Sequence, residues 1–196
     1  MTIYLATGNP GKVADFHGIG LPLEMLPNFA SLPSIAETGA TFEANARLKA
    51  EHYSRFTTAM VLADDSGLEV DALQGAPGVY SARFAGKHGD DVANNRLLLQ
   101  KLEGIPQPQR SARFVCVLAL AQLGRPIATF CGTAEGRILD APRGDGGFGY
   151  DPLFYSPATG ASFAELPPDR KAQLSHRGAA ARAMLEWIGA QQAHKS

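Results

Sequence analysis

The sequence predicts an α/β domain: one mixed, elongated sheet flanked by helices, with a smaller lobe and the site in the cleft between them. Three observations point to the sheet and its helices. Short apolar runs of strand length alternate with segments of helical periodicity. Two longer runs, residues 112–121 and 126–133, are joined through Leu123, Gly124 and Arg125 and read as a hairpin, which puts an antiparallel pair in the sheet. The chain has 196 residues, 45% hydrophobic and 19% charged, an ordinary globular mixture. A chain of this size buries roughly 70% of the surface its unfolded form exposes and needs no covalent staple.

In order, residues 3–7 (IYLAT) read as a short buried strand running into a turn-rich pentapeptide, residues 8–12, that launches a helix. A second apolar run covers residues 21–26, and residues 31–39 read as loop. Thr41 is the candidate N-cap of a helix from Phe42 to about Phe56, with Phe42, Ala46, Ala50 and Tyr53 on one apolar face. Residues 60–63 form another strand-like run, ending abruptly at Asp64-Asp65-Ser66-Gly67. Residues 75–90 are loop-like, residues 92–102 an amphipathic helix, and residues 143–152 a glycine-rich stretch after the hairpin. A final helix from about residue 176 to 188 is capped by Ser175. Residues 1–190 thus form a single domain and residues 191–196 a loose tail; no repeat is present.

Composition narrows the function class. A formal net charge of -1 leaves no electrostatic footprint for duplex nucleic acid. Cys116 and Cys131 lie in apolar stretches, read as buried thiols, and form no C-x-x-C motif. No signal peptide or membrane-length apolar run is present, so the expectation is a cytoplasmic protein without a membrane partner.

Four constellations carry the chemistry, each with a plainer reading beside it. Thr7-Gly8-Asn9-Pro10-Gly11-Lys12 sits between strand and helix, where a helix start favours an anion and a lysine adds a point charge. Its spacing is not that of a Walker A loop, and a simple turn also explains it. Asp64-Asp65 at the end of a strand suits magnesium, which takes one or two carboxylates plus waters and phosphate oxygens. On an alternating strand the two face opposite ways, so one alone points at a metal; Glu37 is the candidate second acid, and a polar turn is the alternative. In the segment from Gly146 to Pro152, Phe148, Gly149, Tyr150 and Asp151 combine costly glycines with aromatics that offer a stacking face, or else make a tight turn with Phe148 in the core. Lys171, Ser175, His176 and Arg177 place donors at a helix start, suited to carbonyl or phosphate oxygens or merely to the surface. Asn45 and Lys49, four apart, share one helix face, which a solvated stripe also explains. Together these are the parts of a nucleotide site.

The ordered series resembles the inosine/xanthosine triphosphate pyrophosphatases of the HAM1/RdgB-like family. The matching segments run from Thr7-Gly8-Asn9-Pro10-Gly11-Lys12 through Glu37-Thr38-Gly39 and Thr41 to Ala46. They continue through Ala63 to Leu68, Gly75 to Arg83 and Gly146 to Pro152, and end at Ser175-His176-Arg177-Gly178. The resemblance implies a homodimer that hydrolyses ITP, dITP and XTP to monophosphate and pyrophosphate with Mg2+, keeping them out of DNA and RNA. It implies Asp65 as catalytic acid or base and metal site, with Glu37 as second ligand. It places Thr7 to Lys12 on the triphosphate and Lys49 and Ser66 as substrate contacts, with Phe148 to Asp151, Lys171, His176 and Arg177 around the nucleotide. Asp15 stands where relatives often carry glutamate, a mild change, and Ala36 precedes Glu37 where many relatives have two acids in a row. A donor from Lys171, His176 or Arg177 aimed at a C6 oxygen would favour these bases over adenine. The alternatives are a Maf-type pyrophosphatase for pyrimidine or modified nucleotides and a nucleotide-binding regulator without catalysis.

Overall fold

A computed structural model describes residues 2–19, 21 and 23–193. Seven strands form one sheet in the order β2-β1-β3-β4-β5-β6-β7. They are β1 (Ile3–Leu5), β2 (Glu24–Met25), β3 (Met60–Val70), β4 (Ser111–Gln122), β5 (Arg125–Ile138), β6 (Phe154–Ser156) and β7 (Ala161–Ser162). The helices are α1 (Pro10–Gly18), α2 (Phe42–Tyr53), α3 (Asp91–Lys101), α4 (Pro168–Leu174) and α5 (His176–Ala193). β1 pairs in parallel with β2 and β3, and every later pair is antiparallel, so the sheet is mixed as expected.

The period-2 alternation of β3 and β4 divides the core between two faces. Val61 and Ala63 with Val115, Val117, Ala119 and Ala121 meet Ala46, Ala50 and Tyr53 of α2. Leu62 with Cys116, Leu118 and Leu120 meets Phe16 of α1 and Ala180, Ala181 and Met184 of α5. The far ends of β3, β4 and β5 gather a third cluster with Leu98 of α3, Leu102 just after it, Tyr150, Phe154 and Phe163, which is the smaller lobe.

The hairpin is tighter than the sequence suggests. Gln122 pairs with Arg125, and Leu123 and Gly124 both take positive φ (52° and 76°), the twist that two-residue hairpin turns require. Asn9 and Thr41 cap α1 and α2, and Ser175 Oγ accepts the Gly178 N–H at the start of α5.

The main departure is β3, which does not end at Ala63. It continues through Asp64-Asp65-Ser66-Gly67 to Val70, because β4 pairs with it from Val61 to Val70 and the two carboxylates find cationic partners on the flanking helices. The aspartates are therefore mid-strand. Residues 78–83 of the expected loop form a 3-10 turn, and α4, β6 and β7 were not foreseen. α5 extends to Ala193, so residues 191–193 are helical where a tail was expected; residues 194–196 of that tail, and Pro22 of the second apolar run, lie outside the described residues. Cys116 is buried, but Cys131 is exposed because its face of β5 is left uncovered.

Candidate active site

The register of β1 against β3 opens the site. β1 pairs only as far as Leu5 opposite Leu62, while β3 runs eight residues further. Beyond that point the edge of β3 borders a cavity of about 660 Å3, within the range of small-molecule sites, at the carboxyl end of β1. Both faces of β3 reach this cavity. Thr7, Gly8, Asn9, Pro10, Lys12, Glu37, Lys49, Asp65, Ser66, Phe148, Gly149, Tyr150, Asp151, Lys171, His176 and Arg177 all line it. Of the site residues that the family resemblance assigns, Gly11 is not on the wall, and neither are Asn45 and Ser175, which the sequence also singled out. A Cβ at Gly11 would lie 2.5 Å from the Phe148 ring, so the glycine lets that ring pack against the start of α1.

On the α2 face, Asp65 is held at both oxygens. Lys49 Nζ donates to its Oδ1 at 3.0 Å and Asn45 Nδ2 to its Oδ2 at 3.2 Å. Lys49 also donates to Glu37 Oε1 at 2.9 Å, bridging the two acids. Asn45 Oδ1 accepts the Gly39 N–H at 2.7 Å, which ties the Glu37 loop to α2. The Asn45–Lys49 pair is thus no solvated stripe: Asn45 is fully buried. Burial raises the Asp65 carboxyl above its ordinary range, with Glu37 adding to it and Lys49 only partly opposing it. For Glu37, burial acts the same way, but Lys49, Lys12 and Arg83 outweigh it and hold the group below the usual range.

On the α5 face, Asp64 Oδ2 lies 2.8 Å from Lys12 Nζ and 3.6 Å from Arg177, and accepts Ser66 Oγ–H at 2.9 Å. Burial opposes its charge, yet Lys12, Arg177 and Lys49 outweigh that and hold it well below the carboxylate range. Arg177 is itself 2% exposed and donates to Asp15 Oδ2 at 2.5 Å and to Ser66 Oγ at 3.3 Å. Lys171 lies between Asp15 (3.4 Å) and Asp151 (2.7 Å). Asp64, Asp15 and Asn45 organise the site, although the sequence reading, which notes all three, does not count them among the site residues. Asp64 carried a signal, since a charge buried on a strand must be paired.

The glycine-rich segment is shaped as its cost implied: Gly147 and Gly149 take positive φ (72° and 63°). Asp151 Oδ2 accepts the Phe148 N–H at 2.8 Å, and α3 grips the next peptide, Asp91 accepting the Gly149 N–H and Asn95 donating to its carbonyl. Phe148 is half-buried, with Lys171 Nζ 4.6 Å and the Arg177 guanidinium 5.7 Å from its ring centroid. The Tyr150 hydroxyl is committed to Ser81 O at 2.8 Å. His176 stacks on Phe114 at 4.8 Å and 15°. Burial, with Arg177 and Lys171, pushes its pKa well down, so the ring is neutral. His176 Nδ1 and Arg177 Nε are buried with no partner among the described residues.

The start of α1 differs in detail from the anion site expected of it. Asn9 Oδ1 accepts the N–H groups of Gly11 and Lys12, and Thr7 Oγ1 accepts that of Asn9. Charge at this end of the cavity therefore comes from Lys12 and the helix dipole rather than from those three amides.

Comparison with known proteins agrees with this architecture. Over 182 residues the chain is 52% identical to a dITP/XTP pyrophosphatase of Geobacillus kaustophilus, covering 91% of this chain and 89% of the relative. It is 47% identical to one of Geobacter sulfurreducens, covering 95% and 96%. A solved Ham1 protein of Staphylococcus aureus superposes with a TM-score of 0.85 at 39% identity, covering 97% of this chain and 100% of that one. A nucleoside-triphosphatase, dITP/XTP pyrophosphatase of Mycobacterium abscessus gives 0.74 at 41% identity, covering 94% and 99%. The sequence model described as the Ham1 family matches residues 3–187. That match takes in every strand, the whole cavity wall and most of α5, and the chain belongs to the Ham1 family.

Proposed function

We propose that this chain hydrolyses deaminated purine nucleoside triphosphates (dITP, XTP and ITP) to the monophosphate and pyrophosphate, with magnesium, as a cytoplasmic homodimer. The observation that carries the chemistry is the opposite environment of two adjacent carboxylates, Asp65 and Asp64, on the wall of one cavity. The substrate class follows from relatives named as dITP/XTP pyrophosphatases. The same relatives disfavour a Maf-type enzyme. Among the described residues no helix is long and apolar enough to cross a membrane.

Asp65 and Glu37 fit a divalent cation. They are hard oxygen donors sharing one ammonium, and the raised Asp65 carboxyl marks a negative charge that further cationic partners would relieve. Magnesium bound there would polarise the phosphate oxygens and offset charge on the departing pyrophosphate. The chain's own residues do the rest. Lys12 and Lys49 hold the phosphates beside β3. Water oriented by Asp65 adds its oxygen to the α-phosphorus, its proton passes to the Asp65 carboxylate, and the bond to the bridging oxygen breaks to release pyrophosphate.

Selectivity lies at the other end. The Lys171 ammonium and the terminal nitrogens of Arg177 are largely committed to Asp15, Asp151, Asp64 and Ser66, whereas His176 Nδ1 and Arg177 Nε have no partner among the described residues. A C6 oxygen satisfies the Arg177 Nε–H, and His176 Nδ1 in the tautomer that carries its proton there, whereas the adenine amino group leaves such donors unpaired at a cost.

The test is pyrophosphate release from dITP, XTP, ITP, dUTP and the four standard NTPs, with and without magnesium. Magnesium-dependent release, preferring the first three by about 100-fold or more, is expected. Preference for dUTP, or binding of dITP without turnover, overturns the reading.

A further inference from the structure

We propose that Arg83 is a further polyphosphate-binding residue: a mobile cation that leaves Glu37 to meet the β- and γ-phosphates of a bound nucleoside triphosphate. The proposal rests on the hydrolase reading above.

Charge balance motivates it. Among the described residues five lysine or arginine and five carboxylate side chains line the cavity, so the wall is balanced before a ligand arrives, and a triphosphate brings strong negative charge. Four of the five cations are firmly held. Lys12, Lys49, Lys171 and Arg177 each have a carboxylate oxygen at 2.9 Å or less, and their side chains are at most 19% exposed. Arg83 is different. Among the described residues its one carboxylate contact is Glu37 at 3.8 Å, too long for a hydrogen bond, and its side chain is 31% exposed. Its guanidinium rests 5.3 Å over the ring of Tyr80, which is itself 59% exposed.

The backbone beneath this loose side chain is fixed. Ser81 Oγ accepts the Leu68 N–H and donates to Gly78 O, while Ser81 O accepts the Tyr150 hydroxyl. Asn94 of α3 donates to Ala82 O and accepts the Ala85 N–H. An anchored shoulder with a free arm suits a residue that swings onto a ligand, and the planar guanidinium matches phosphate oxygens two at a time. Its carboxylate contact is Glu37, the same acid that Lys49 holds, which puts it at the phosphate end of the cavity. A cation claiming Glu37 would also release Arg83, so metal and tail binding would reinforce each other.

The experiment compares wild type, Arg83→Ala and Arg83→Lys in dITP turnover, in direct calorimetric binding of inorganic pyrophosphate with magnesium, and in inhibition by inosine monophosphate, which lacks the tail. Arg83→Ala should lower kcat/KM for dITP and the affinity for pyrophosphate by about 10- to 100-fold. Arg83→Lys should recover part of both losses. Inhibition by inosine monophosphate should stay within about two-fold of wild type. Unchanged pyrophosphate binding in Arg83→Ala overturns the proposal, as does an equal loss for inosine monophosphate, which would mark a collapsed cavity wall. Should wild type turn over no deaminated triphosphate, the hydrolase reading falls, and the pyrophosphate titration still decides the role of Arg83.

Discussion

Asp64 and Asp65 are chain neighbours on β3, buried to 2% and 7% exposure, yet they sit in opposite electrostatic settings. Asp64 faces α1 and α5 and is overcompensated, with Lys12 and Arg177 holding its carboxyl far below the usual range. Asp65 faces α2 and is undercompensated, its one lysine shared with Glu37 and burial pushing its carboxyl upward. The pleat of a single strand thus produces one locked counter-ion and one poised group. The difference teaches where stability and activity divide: the α5 face stores paired charge, and the α2 face keeps an unmet demand for a cation or proton.

Substituting the two aspartates in turn breaks the comparison most directly. Asp65→Asn should lower dITP turnover by about 10²- to 10³-fold. Thermal denaturation should show a melting temperature equal to wild type or higher, because the charge removed is one that burial disfavours. Turnover near that of wild type removes Asp65 from the chemistry; a collapsed fold makes it a structural residue like its neighbour.

Asp64→Asn should do the reverse in stability. It leaves Arg177, at 2% side-chain exposure, and Lys12, at 19%, without their shared carboxylate. Breaking such a buried pair costs about 3 kcal/mol or more. Asp15 still holds Arg177, and Lys12 reaches some solvent, so the low end of that range applies. Urea unfolding measures it. An unchanged midpoint with lost turnover would put both aspartates on the reacting side and erase the distinction.

The sequence carried the pieces of this arrangement better than their partnerships. β4, β5 and α2 were legible because long runs at one period leave little ambiguity. The tail of β3 was not, because Asp64-Asp65-Ser66-Gly67 has turn composition; strand continuation there depends on β4 and on cations from elsewhere. β6 and β7, three and two residues long, exist only through their pairing. Most of the wall could be named because its motifs are contiguous. The contacts that organise it are not: Arg177 meets Asp15 across 162 positions, and Lys171 meets it across 156. Asn45 and Lys49 were visible as a spacing, but nothing local told a buried grip on Asp65 from a solvated helix face.

A smaller effect sharpens the same contrast through pH. His176 belongs to the locked side, neutral and stacked on Phe114, with its pKa well below the ordinary 6.5 because burial, Arg177 and Lys171 all disfavour a proton. The unfolded chain takes up that proton near pH 6.5, and the folded chain does not. Above pH 6.5 the two states bind equally and the histidine has no effect. As pH falls below 6.5 the unfolded state gains the proton and folding loses up to about 1.4 kcal/mol per pH unit. Asp64 acts in a lower window: its depressed carboxyl stabilises the fold fully above about pH 4, and that contribution fades only as pH drops further. Between pH 7.5 and 5.5, therefore, wild type should lose about 1.4 kcal/mol more than His176→Gln in urea unfolding. Asp65 titrates in both proteins and cancels from the difference. Equal losses in the two would mean that His176 is protonated in the folded chain, and the α5 face would then be as open to proton exchange as the α2 face.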